Sequence, residues 1–314
     1  MKKELVLPVV FLGFFSFGIF KSPSISAADN SKSESKSNQE KTIFDRIEEL
    51  TGFKGTFNKD EGVFKVTYPR TDLEVVAAGV KIKPAMGLTS WAAFKDLGYR
   101  SMMMGDLVLL EDQVNLVMSV ALDNGLEVTA LHNHFFWDAP KVMFMHVAGS
   151  GDVEKLAAAV GKVFEKIKET SGGKNDKKPS VNVDPEKTTL DPKKIEAILG
   201  QKGEVKDGIF KIVFGRSTTM NGYTMGDKMG VNTWAAFAGS DDQAVVDGDF
   251  AMLESEVQSV LKALRGSKIE IVAIHNHMIM ESPRIIFLHY WGVGSTADLA
   301  NGLKAAMDTQ QKSI

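Results

Sequence analysis

All six histidines of this 314-residue chain fall in two short stretches. The first is Leu131-His132-Asn133-His134, followed by a segment from Lys141 that ends in His146. The second is Ile274-His275-Asn276-His277, followed by a segment from Arg284 that ends in His289. An offset of 143 residues separates His132 from His275, and the same offset separates His146 from His289. Neutral imidazole suits Zn²⁺, Cu²⁺, Ni²⁺ and Fe²⁺, and three rings in reach of one point make a site for such an ion. Each stretch is therefore a candidate metal site, with zinc or copper as the expected ion.

Whether three rings can meet depends on the strands that carry them. His132 and His134 are two apart on a segment that reads as a strand, so both point to one face. The return strand leaves its register open. A three-residue loop, Asp138 to Pro140, sets His132 opposite His146 with Cβ atoms about 5 Å apart, and the three rings can share an ion. A five-residue loop sets His146 opposite Ala130 instead. Along a regular strand that leaves His134 and His146 about 13 Å apart, at roughly 3.3 Å per residue, too far for one ion.

Carboxylates stand near both stretches. Asp138, matched by Glu281, is a candidate fourth ligand or outer partner of the imidazoles, and so are Asp106 and Asp249 from the neighbouring strand. Methionine thioether would favour copper, but Met143 and Met145 alternate out of phase with His146 and read as core filler. Two other readings stay open. The histidines can form a hydrogen-bonded structural ladder, or they can line a metal-free polar cleft for a glycan or another envelope ligand. Trp91 and Trp234 are expected as buried aromatics, or else as walls of that cleft. The letters His-Asn-His do not indicate an HNH-type nuclease, because the chain offers no basic surface.

The elements that carry these residues also recur. Residues 43–50 show apolar positions at helical spacing, and Asp191-Pro192 opens the matching helix with an N-cap and a proline at its first position. Strand-like segments follow at Gly62 and Gly208. Glu111 to Asn124 and Val153 to Glu169 read as amphipathic helices, and a final helix is expected from Thr296 to Met307. Leu126 to Phe135 and Lys141 to Val147 read as strands, with Gly149 and Gly151 turning the chain. The expected class is α+β: two tandem homologous domains, each an antiparallel sheet with helices packed on one face. A duplicated domain of this kind can also pack about a pseudo-twofold axis. The expected boundaries are 42–170 and 190–311, joined by a Gly-, Lys- and Pro-rich linker at 171–189.

Composition sets further bounds. The charged and apolar shares, 25 % and 44 %, are those of a globular protein, so each half can bury a core. A net charge of −3 argues against nucleic acid as a partner. Residues 1–28 read as a signal peptide: Lys2 and Lys3, then an apolar run, then Ala27-Ala28 for cleavage. Residues 29–41 read as a polar tether. These features predict a secreted or cell-envelope protein without stable membrane insertion after cleavage. The chain has no cysteine, so disulfides, thiolate ligands and a lipidated cysteine are excluded.

The Ala-Leu-His-Asn-His stretch, the following strand ending in His, and the Gly105-Asp106 strand before the helix resemble the LppY/LpqO family, also described as domain of unknown function 1259. The resemblance covers both repeats, about Thr42 to Met307. It implies an envelope location and no particular chemistry. Lipoprotein members carry a cysteine at the mature N-terminus, which this chain lacks.

Overall fold

The computed structural model describes residues 42–171 and 180–311. The signal-peptide and tether readings lie outside the described residues, as does most of the expected linker. The first half contains α1 (42–51), β1 (Gly55–Asn58), β2 (Val63–Pro69), β3 (Val76–Ala77), β4 (Val80–Lys81), β5 (Thr89–Asp96) and β6 (Ser101–Leu110). It continues with α2 (Glu111–Asp123), β7 (Glu127–His132), β8 (Asp138–Ala139), β9 (Val142–Gly151) and α3 (Val153–Thr170). The second half contains α4 (Pro192–Leu199), β10 (Gly203–Lys206), β11 (Ile209–Gly215), β12 (Thr218–Met220), β13 (Tyr223–Met225), β14 (Asn232–Gly239) and β15 (Ala244–Leu253). It closes with α5 (Val257–Gly266), β16 (Glu270–His275), β17 (Ile285–Gly294) and α6 (Thr296–Met307).

Local chemistry fixes the helix ends. Asp191 caps α4 by accepting a hydrogen bond from Lys193 N, Pro192 follows at the first helical position, and Gly200 closes the helix at φ 71°. Asp152 and Ser295 cap α3 and α6 in the same way.

Twelve of the described strands form one antiparallel sheet in the order β1-β2-β5-β6-β9-β7-β16-β17-β15-β14-β11-β10, while β4-β3-β8 and β12-β13 form two small sheets of their own. The second half of this order repeats the first in reverse, as a pseudo-twofold axis between β7 and β16 requires. The two expected sheets are thus fused at their inner edges, where Leu131 stands opposite Ile274. The six α-helices among the described residues all contribute to one apolar core on a single face. It includes Ile47, Val117, Val160, Ile195, Leu261 and Leu303. From Phe44 onward the described residues form a single compact unit.

Two expectations need correction. Gly149 does not turn the chain, because β9 runs on to Gly151. A Cβ at Gly149 would lie 2.7 Å from Leu156 Cδ2, and one at Gly292 would lie 2.7 Å from Leu299 Cδ2. These glycines let α3 and α6 rest on the sheet. The other face of the sheet is also not wholly bare. Val75, Ala77, Ile82 and Leu88 fold over Val108, Val142 and Phe144, and a smaller cluster containing Val231, Ala251, Ile285 and Phe287 mirrors them. These small roofs cover one end of each half and leave the middle of the face open.

The join between the halves is completed by a reciprocal amide clasp. Asn115 on α2 accepts from Ile271 N at 2.8 Å and donates to Ile271 O at 3.1 Å. Gln258 on α5 accepts from Val128 N and donates to Val128 O, both at 2.9 Å. Val128 and Ile271 sit where the register of β7 and β16 shifts, so their backbone groups need these side chains. Asn115→Ala and Gln258→Ala should each lower the unfolding free energy by about 1–3 kcal/mol, measured by urea denaturation. A loss below about 0.5 kcal/mol would mean that water serves these groups instead.

Candidate metal centre

On β9, Met145 and Val147 pack in the core beneath the helices. Phe144 and His146 therefore face the open side, as alternation requires. The register is the one that predicted separation: Ala130 stands opposite His146, and His132 stands opposite Phe144. The second half agrees, with Ala273 opposite His289 and His275 opposite Phe287. The rings nevertheless converge. The expected strand from Leu126 to Phe135 stops at His132, and His134 bends back onto the Phe144 ring at a centroid distance of 3.3 Å. His277 lies on Phe287 at 3.5 Å. His132 lies 5.2 Å from His146 and 5.3 Å from His134, while His275 lies 4.6 Å from His289 and 5.1 Å from His277.

A carboxylate joins each group. Asp106 stands directly opposite His146, and Asp249 stands opposite His289. In the second half, Asp249 Oδ2 is 3.0 Å from His277 Nε2, which is 3.2 Å from His275 Nε2. Ligand atoms about 2.0–2.1 Å from a tetrahedral ion lie roughly 3.3 Å from one another, so these separations match edges of such a site. Asp249, His275 and His277 each offer a ligand atom within 4.8 Å of the others, and among the described residues no second such group occurs. His289 lies alongside, its Nδ1 3.3 Å from Gly248 O. A proton on that nitrogen would leave Nε2 free for ligation.

Asp249 is 2 % exposed, and its Oδ1 has no hydrogen-bond partner. Burial raises its pKa and outweighs the influence of His289 and His277. Burial, reinforced by His289 and His277, pushes His275 down to about 4. Its ring is therefore neutral near pH 7, as ligation requires. His134 is also lowered, by burial first, against the opposing charge of Asp106. Asp106 resembles Asp249 in having a buried, unpartnered Oδ1.

The remaining predicted carboxylates serve their own hairpins. Asp138 accepts from Val142 N at 2.8 Å, and Glu281 accepts from Ile285 N at 3.3 Å. Strand β8 pairs with β3 in the first half, and Ser282 pairs with Thr219 in the second, so each roof pins the loop that follows the His-Asn-His stretch. Trp91 and Trp234 are half-buried on the open face, one strand beyond Asp106 and Asp249. Sequence reasoning missed the two lysines beside them: Lys65 Nζ lies 4.1 Å from the Trp91 centroid, and Lys211 Nζ lies 4.2 Å from that of Trp234. Their identity in both repeats was the available signal. It also missed Phe144 and Phe287 as the platforms under His134 and His277.

The fold and the site define an α+β protein built from two fused repeats, each presenting histidines and one buried aspartate on an open sheet face. The chain belongs to the family described as Domain of Unknown Function (DUF1259), whose model matches residues 45–166 and 193–309. No curated protein matches it. A solved structure, a trimeric bacterial microcompartment shell protein (PduB), aligns over 81 % of this chain and 89 % of its own at 9 % identity, with a TM-score of 0.20. That likeness is too slight to bear on fold or function. Among the described residues, no helix is long and apolar enough to cross a membrane.

Proposed function

We propose that the chain binds a divalent transition-metal ion, zinc or copper, through Asp249, His275 and His277, with His289 available as a further ligand. Asp106, His132, His134 and His146 form a looser counterpart in the first repeat. The observation that carries this reading is the buried Asp249 carboxylate, one oxygen unpartnered and the other 3.0 Å from His277 Nε2, which itself lies 3.2 Å from His275 Nε2. A bound cation would neutralise that carboxylate. The N-terminal sequence supports an extracytoplasmic setting after signal cleavage. A glycan stacked on Trp91 or Trp234 is less favoured, because a lysine already lies over each ring.

Metal analysis of protein purified without a histidine tag tests the reading. At least one equivalent of zinc or copper per chain is expected after loading and desalting. Less than about 0.2 equivalents, with no thermal shift on adding either ion, would overturn it.

The pH dependence has a definite sign. With its folded pKa near 4, His275 binds fewer protons in the folded chain than in the unfolded one, where imidazole titrates near 6.5. Its contribution to stability is therefore present above about pH 6.5 and is lost as pH falls toward 4. Asp249 acts in the opposite direction, because its pKa is raised in the folded state. In the folded chain protons compete with a metal for His275 only near its own pKa, so metal affinity should fall as pH drops through about 4. Zinc titrations at pH 5 and pH 3 should differ by about tenfold in affinity through this group.

A further inference from the structure

We propose that each metal centre is one half of an oxyanion site, whose other half is the lysine held over the adjacent tryptophan. The ligand class is a phosphate-type oxyanion bound between the ion and the Lys65 or Lys211 ammonium. This inference rests on the metal-centre reading above.

Comparison of the two repeats carries it. Across the open face, Thr67, Trp91, Asp106, His146 and Ala130 form one row of paired residues. Val213, Trp234, Asp249, His289 and Ala273 form the matching row. The row is identical in both halves except at its outer end. The same face has diverged beside it: Met104 becomes Asp247, Ala148 becomes Trp291, and Ser150 becomes Val293. The lysine and the tryptophan are retained together with the aspartate and the histidines, as a functional strip would be.

The direction of the lysine agrees. Lys65 stands opposite Ala93, two residues along the strand from Trp91, and Lys211 is placed likewise opposite Ala236. To lie over the indole, each side chain leans toward the row that holds the aspartate. The ring then fixes the ammonium by a cation–π contact while leaving its protons to donate. The alanines beside it, Ala93 and Ala236, keep the space above the sheet clear.

Charge completes the case. Without a metal, the aspartate repels an anion. With a divalent ion on one carboxylate and neutral imidazoles, the centre carries +1; Lys65 raises the first half to +2, while Asp247, in line with Lys211 across Ala236, holds the second at +1. An oxyanion is the ligand that this arrangement recognises, since one oxygen can meet the ion and another the ammonium.

The test uses the full chain, with inorganic phosphate as the probe. Zinc content is measured first, and phosphate is then titrated calorimetrically into the loaded and the metal-free protein. Binding is expected only in the loaded protein. Lys65→Met/Lys211→Met should retain its zinc while losing at least tenfold in phosphate affinity. Lys65→Arg/Lys211→Arg should keep most of that affinity. Loaded wild-type protein that ignores millimolar phosphate, or a methionine double variant that binds it as well as the wild type, would overturn the inference and leave the metal reading intact. A chain that takes up no zinc would remove both.

Discussion

His275→Ala/His277→Ala will bind zinc or copper at the second-repeat centre more than a hundredfold more weakly than the wild type. Losing even an outer partner of a metal ligand costs about 10–100-fold, and this variant removes two ligands. A thermal shift disappears with the affinity. At an ion concentration one hundred times the Kd, binding stabilises the folded chain by about 2.7 kcal/mol, or roughly 5 °C for a protein of this size. The metal-free variant should stay folded, because His275 Nδ1 has no partner to strand and His277 is only partly buried. Circular dichroism checks this before any titration. A variant that unfolds would favour a structural histidine ladder, whereas a folded variant with undiminished affinity would eliminate this centre. Asp249→Asn separates the roles further. It keeps the shape and removes a buried charge whose partners do not offset its burial, so it should weaken metal binding while raising the stability of the metal-free protein. A trade of that kind is expected of a carboxylate kept for a ligand.

Arg216→Ala will lower the unfolding free energy by about 3–5 kcal/mol, the largest loss expected from a single substitution away from the site. Glu256 is 3 % exposed in its side chain and accepts hydrogen bonds from Arg216 Nη1 at 2.5 Å and Nη2 at 3.1 Å. Burial alone would raise the Glu256 pKa, but hydrogen bonds from Arg216, Leu253 N and Gln311 N outweigh it and hold the pKa below the usual value. Without Arg216 that carboxylate becomes a buried charge with too few donors. Its stabilising contribution is present above the ordinary glutamate range and is lost as pH falls through the lowered folded pKa. The first repeat solves the same problem differently. Arg70 is fully buried and donates to Val108 O, Gln113 and Asp72, so its charge partner sits on the loop after β2 instead of in the turn that leads into the helix, where Glu256 lies. Urea denaturation of Arg216→Ala, beside Arg216→Met/Glu256→Leu, measures the effect. The single variant should lose far more stability than the double, and equal losses would refute the buried-charge explanation.

Much of this molecule could be read from residue order. The repeat, its offset, the helix starts at Asp191-Pro192 and Glu111, and the core side of Met145 all follow from local spacing and capping, which act within a few residues. The six histidines and the aspartates of the Gly-Asp pairs were identifiable because duplication retained them together. Hairpin register was not identifiable, and its consequence was mispredicted. Counting along a regular strand separates His134 from His146, but the strand ends at His132 and the next residues fold back onto Phe144. Only the pairing of loop and roof, through Asp138-Ala139 against β3, establishes that course.

What the sequence alone determined is the inventory: two copies of an α+β unit, each with three imidazoles, a matched aspartate and no thiol. Tertiary structure decided two further things. The halves share one sheet because β7 and β16 leave complementary inner edges, which Asn115 and Gln258 complete from helices far away in the chain. In the second cluster Asp249, His275 and His277 come to ligand spacing, although His277 stacks on Phe287 no more closely than His134 does on Phe144. Such distances arise from contacts between remote segments, and no local pattern encodes them.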